Sequence, residues 1–337
     1  MLPNRTIDPR SQRGAAVLLA LFIVAISTLI VTDLFWRQFV LFRTIENQQT
    51  SSQSRLLLRG AQDWARSILQ DQTHPAYDAL SDPWAQPLAQ TRLDQLGETA
   101  PIASLATLEG QIDDAQARFN LRNLVDNTGA VNPVQLAVLE KLATLLSAPA
   151  GTAQLIAAYV AQAYTGGAGA PALAASASAL VPGAQIPAFL QPLTSGSRPI
   201  PPVFPEDLAA IPGIDPGAAQ ILAPFVILLD QANTAVNFNT AGPELMAASI
   251  PELTISDANT LAAERDRAYF VSVGDIQNRL RGRGGSFSAA GISTNSQYFI
   301  VQGAIGVEHA STNMRALVRR YGTGAQGSVE VLWEREQ

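Results

Sequence analysis

The strongest constraint on this chain is an uninterrupted apolar run over residues 15–31, AAVLLALFIVAISTLIV, set directly behind a polar and basic start. As a helix rising about 1.5 Å per residue, the run is about 25 Å long. That is the short end of a membrane span, and Leu34, Phe35 and Trp36 extend it. Arg5, Arg10 and Arg13 outnumber Asp8 before the run. The basic flank is therefore expected to stay in the cytoplasm, Trp36 to sit at the far interface and the body to be exported. On composition alone this is a signal anchor. A cleaved secretory peptide fits poorly, because no small-x-small site leads from the run into a polar mature start.

The whole chain has 337 residues, room for about two or three domains of ~100–200 residues. Hydrophobic residues make up 47 % and charged residues 15 %, which allows a sizeable core and argues against disorder. A net charge of -6 opposes nucleic-acid binding, which draws on clustered Lys and Arg. There is no cysteine and only two histidines, His74 and His309, so thiol nucleophiles, disulfides and Cys-containing zinc sites are excluded.

No proline or glycine falls between residues 15 and 59, so one helix is expected over 15–70, leaving the membrane through the polar stretch 43–55. Leu57, Ala61, Trp64, Ala65 and Ile68 recur at helical spacing and predict an amphipathic face lying on a sheet. Asp33 ends the apolar run, with Arg37 one turn on as its expected partner. Residues 71–97 read as a loop or short turns. Residues 111–125 suit one or two short strands, and 297–307, 313–321 and 328–334 three more, together a small antiparallel sheet. Helical patterns appear at 135–146, 153–164, 206–211, 216–229, 242–249, 256–266 and 273–280, while 166–202 reads as a long linker. The predicted class is α+β: a leader over 1–14, the long helix over 15–70, sheet segments in 98–125 and 292–337, and an inserted all-α domain over 126–291.

Chemical motifs are weak. Residues 208–215 (LAAIPGID) resemble a helix-hairpin-helix turn, and Asn237, Asn239 and Thr240 resemble the exported DNA-receptor version. Asp215, however, replaces the second glycine and would face the phosphate, and residues 206–267 hold nine Asp/Glu against two Arg and no Lys. The hairpin is expected to be a packing unit. The glycine-rich 281–286 (RGRGGS) lacks the Lys-Ser/Thr of a phosphate loop and reads as a connection. Asp113 and Asp114, adjacent on a strand, should point to opposite faces and sit in a solvated turn rather than act as an acid pair. His74 and His309 read as surface residues. No set of nucleophile, base and orienting group is found, so no catalysis is expected.

The junction at residues 12–19, QRGAAVLL, resembles the prepilin peptidase site of type IV pilins and their secretion-system relatives. That resemblance implies cleavage after Gly14, leaving Ala15 as an N-terminus that is commonly methylated. Most members of that family carry glutamate at mature position five, where this chain has Leu19. In a pilin bundle that glutamate meets the ammonium of the neighbouring subunit within hydrocarbon, where either charge alone costs several kcal/mol. A subunit with Leu19 could receive a glutamate from below but offer none above, which marks a filament tip. Together with residues 112–121 (IDDAQARFNL), 123–125 (NLV) and 236–241 (VNFNTA), this junction resembles the largest minor pseudopilin of type II secretion, general secretion pathway protein K.

The resemblance implies a pilin-like fold with a helical insertion and a place at the tip of a periplasmic pseudopilus beside other minor pseudopilins. It also implies processing by prepilin peptidase, an inner-membrane anchor, and the outer-membrane secretin or cargo as further contacts, without nucleic acid. Members often carry a calcium-associated acidic run after the first helices of the insertion. The corresponding residues 157–165 (AAYVAQAYT) hold no carboxylate, so that site is expected to be lost and no cofactor is expected. A type IV pilus minor pilin or a signal-anchored periplasmic adaptor stays as the alternative.

Overall fold

The structure, a computed structural model, describes residues 9–71, 74, 76–96, 104, 106–126, 130–165, 199–280, 289–307, 310–322 and 327–336. Most of the 166–202 linker, the 281–286 connection, His309 and most of the leader fall outside these residues.

Sixty-two residues, Pro9–Gln70, form one helix, α1, about 93 Å long at 1.5 Å per residue. Through the apolar run its side chains are exposed, and the hydroxyls of Thr28 and Thr32 donate to Val24 O and Thr28 O at 2.8 Å. Arg37 pairs with Asp33 at 2.8 Å, as the spacing predicted. Further on, the buried stripe is Ser54, Leu58, Gln62, Ala65 and Leu69. This stripe is rotated from the predicted face: Leu57, Ala61 and Ile68 lie half-buried at its margins, and Trp64 is exposed. The apolar pattern alone missed the register because two polar residues, Ser54 and Gln62, lie on the stripe.

The sheet that α1 covers has five strands, all antiparallel, in the order β1-β2-β7-β8-β9. They are β1 (Leu88–Arg92), β2 (Ala106–Asp114), β7 (Tyr298–Val307), β8 (Ala310–Tyr321) and β9 (Ser328–Glu336). The three C-terminal strands were expected, while β1 lies in what read as a loop. It is short, with a register shift between Leu88 and Thr91, and Pro87 precedes it, so it leaves little sequence signal. β2 begins earlier than the expected 111–125 segment and ends at Asp114, beyond which the chain turns. Leu108, Ile112, Phe299, Val301, Ile305 and Val318 meet Leu58, Ala65 and Leu69 of α1. Gly303 has no side chain where Leu58 approaches; a Cβ there would sit 3.5 Å from Leu58 Cδ2. Tyr298, Ile300 and Leu317 face the other side and pack on Ile227 and Leu229 of the insertion. Burial on both faces explains the unbroken apolar run Tyr298-Phe299-Ile300-Val301.

The insertion carries α2 (Pro133–Leu145), α3 (Thr152–Thr165), α4 (Pro216–Leu222), α5 (Pro243–Ser249), α6 (Ile255–Arg267) and α7 (Val273–Arg279) around one core. Asn132, Asp215, Thr254 and Ser272 cap α2, α4, α6 and α7 through side-chain oxygens that accept first-turn N–H groups. Two expectations are corrected. The 216–229 helix stops at Leu222, because Pro224 follows, and 206–211 is a 3₁₀ turn over Pro205–Ala210. The domain is also not purely helical: β3 (Phe119–Asn120) pairs in parallel with β4 (Val226–Ile227), and β5 (Val236–Asn237) with β6 (Ile292–Ser293). Lys141, the chain's single lysine, ties α2 to the end of α5 by donating to the carbonyls of Ile250, Pro251 and Leu253 at 2.8, 2.8 and 2.9 Å.

Candidate assembly site: the anchor helix and the polar neck

Gly14, Ala15 and Leu19 all lie on α1 and are exposed, Leu19 at 62 %. From residue 14 to residue 49 every side chain of α1 is exposed. Among the described residues this is one helix long and apolar enough to cross a membrane. The described carboxylates nearest Ala15 along the helix are Asp33, held by Arg37, and Glu46, held by Arg43 at 2.9 Å. Position 19 therefore offers a neighbouring helix an aliphatic surface and no charge.

At its other end α1 reaches the point where the chain leaves the sheet for the insertion and later returns. Arg320 Nη2 donates to both oxygens of Asp78 at 2.8 and 2.6 Å and to Ser296 O at 2.7 Å, while its Nη1 reaches Leu69 O at 3.4 Å. Asp78 is fully buried and also accepts from Ser296 N at 2.8 Å. One step further in, Asp114 Oδ2 accepts from Asn237 Nδ2 at 2.8 Å and from the hydroxyls of Thr240 and Ser296, each at 2.6 Å. Its Oδ1 accepts from Gln116 N at 2.8 Å. Burial pushes the Asp114 carboxyl up from the ordinary aspartate value, and the charge of Asp78 adds to that; hydrogen bonds from Ser296, Thr240 and Asn237 oppose it.

The expectation of a solvated turn at Asp113 and Asp114 is therefore half wrong. The two do point to opposite faces. Asp113 is partly exposed and accepts from Gln111 and Gln302, but Asp114 lies at the centre of a buried polar neck. Nothing in the local sequence separated them, because the burial comes from Asn237, Thr240 and Ser296, more than a hundred residues away.

The motif residues that carried the resemblance belong to the same neck. Asn239 brackets Phe270, accepting from its N–H at 2.8 Å and donating to its carbonyl at 2.9 Å. Asn120 gathers Gln231 O, Thr234 Oγ1 and Leu229 N, and Asn123 takes both the carbonyl and the N–H of Thr234. Buried asparagines of this kind replace regular ladders where the backbone turns sharply, meeting its polar groups with side-chain amides.

In the hairpin-like segment Leu208, Ile211 and Ile214 are buried, Gly213 takes φ 88°, and Asp215 accepts from Ala218 N at 3.0 Å. These residues pack into the core and cap α4. Ala157, Ala158, Val160, Ala161 and Ala163, within the carboxylate-free stretch 157–165, are buried on α3. His74 Nδ1 lies 3.0 Å from Asp82 Oδ1, and its ring stacks on Tyr77. It is half-exposed.

Two family models, both described as type II secretion system (T2SS), protein K, match residues 117–231 and 236–295. Between them they span more than half of the chain, including the neck residues Asn120, Asn123, Asn237 and Asn239. The chain belongs to the type II secretion system protein K family. Its membership confirms the minor pseudopilin class to which the motif residues pointed.

A curated relative, type II secretion system protein K of Pectobacterium carotovorum subsp. carotovorum, is 25 % identical over 333 residues, covering 94 % of each chain. The protein of the same description from Pseudomonas aeruginosa is 30 % identical over 123 residues, which span 34 % of each. Among solved structures, one chain of the GspK-GspI-GspJ complex from the type 2 secretion system of enterotoxigenic Escherichia coli matches with a TM-score of 0.60 at 20 % identity. The match covers 87 % of this chain and 98 % of that one, and it supports the α+β pilin-like fold.

Proposed function

We propose that this chain is the tip subunit of the type II secretion pseudopilus, initiating its assembly and capping it. The observation that carries the reading is the absence of a carboxylate at Leu19 within the segment of α1, residues 14–49, whose side chains are all exposed. After cleavage behind Gly14, the ammonium of Ala15 can take a glutamate from a subunit below. Nothing at position 19 can neutralise a subunit above, and a buried lone charge costs several kcal/mol. The insertion adds a steric reason, since it departs from the neck at the membrane-distal end of α1. On this reading the anchor sits in the inner membrane, the body lies in the periplasm, and the partners are other minor pseudopilins such as those named in the Escherichia coli complex. Prepilin peptidase processes the chain, and the secretin or cargo lies beyond the tip. The chain catalyses nothing itself.

Substituting Leu19→Glu tests this: the tip complex should co-purify less and secretion should fall. Unchanged secretion and co-purification would remove the charge argument and leave the steric one alone. We also infer that calcium is not required, because the stretch 157–165 lies on a helix without a carboxylate. Calcium should leave the melting temperature of the full chain unchanged, and a clear rise would refute this.

A further inference from the structure

We propose that Asp114 is the positioning residue that fixes the orientation of the insertion on the pilin-like sheet. The proposal deepens the capping reading and rests on it, because a cap blocks addition only if it is held in one place.

Two chain crossings join the bodies, one after Asp114 and one through residues 292–298. The apolar contact between them, Ile227 and Leu229 against Ile300 and Leu317, is non-directional and tolerates sliding. Direction comes from hydrogen bonds. Asp114 collects donors from the outgoing turn (Gln116 N), the insertion (Asn237 and Thr240) and the returning segment (Ser296). Four donors converge on this one carboxyl, three at Oδ2 and one at Oδ1. Ser296 also bonds Asp78, which Arg320 links to Leu69 O near the end of α1. A continuous buried line thus runs from the membrane helix through Arg320, Asp78, Ser296 and Asp114 into the insertion. This buried line adds direction at the centre of the contact, inside the outer bonds from Tyr298 Oη to Asp230 at 2.7 Å and from Arg319 to Asp230 and Gln231 at 3.4 and 2.9 Å.

The chain has no cysteine, so a single introduced pair is uniquely labelled. Asn313→Cys on the sheet and Ser256→Cys on α6 are both at exposed positions. With nitroxides on the full chain in detergent, the parent should give one narrow distance distribution. Asp114→Asn retains the shape but turns one acceptor into a donor; it should broaden the distribution roughly twofold with helix content unchanged. An unchanged width would overturn the proposal. If that variant does not fold, Ser296→Ala decides by the same criterion, since it removes one donor and leaves the carboxylate. Secretion separates the two ideas: a broadened distribution with normal secretion keeps the positioning role and refutes the need for a fixed cap.

Discussion

Replacing Arg320 by Met removes the cation from a carboxylate that has no access to water. Asp78 is 0 % and Arg320 4 % exposed, and their closest contact is 2.6 Å. Stripping one partner from a buried pair costs about 3–5 kcal/mol, chiefly because the remaining charge cannot be hydrated. For a body of this size 1 kcal/mol moves the midpoint by about 2–4 °C, so the melting temperature should fall by about 6–20 °C. Thermal unfolding of the full chain in detergent, followed by tryptophan fluorescence, reads this locally. Trp84 is buried edge-on to Phe299 at 5.2 Å, and the Arg320 guanidinium lies 4.8 Å from that same Phe299 ring. Adding Asp78→Asn to Arg320→Met should recover part of the loss, with a coupling of at least about 1 kcal/mol. A loss below about 1 kcal/mol, or simple additivity in the double variant, would refute the claim that this pair holds the neck.

Co-expression with a prepilin peptidase should give an N-terminal mass starting at Ala15, with or without one added methyl; an uncut chain reduces the protein to a signal-anchored exported subunit and removes the tip argument. The Asp114 carboxyl is raised in the folded chain, so its contribution is fully present below the ordinary value of 3.8 and is lost as pH rises through the folded value. Relative to Asp114→Asn, the parent should therefore lose stability as pH climbs from about 4 and then level off, which denaturant melts at several pH values would read. A difference that grows with pH would mean that the carboxylate is favoured in the folded state and that burial is not the dominant effect.

The ends of the chain were legible in the sequence because their signals are local. An unbroken apolar run behind arginines needs no tertiary partner to be recognised. The β-branched and aromatic strands β7, β8 and β9 could be read for the same reason. Only folding decided the rest. The short edge strand β1 owes its existence to pairing with β2, and the register of α1 was set by a sheet that accepts Ser54 and Gln62 on the buried face. The difference between Asp113 and Asp114 is the sharpest case: two identical neighbours, one partly exposed and one buried at the centre of the neck. Which is which depends on Asn237 and Thr240 of the insertion and on Ser296 of the returning segment, and burial changes a carboxylate's cost in a way no local pattern records.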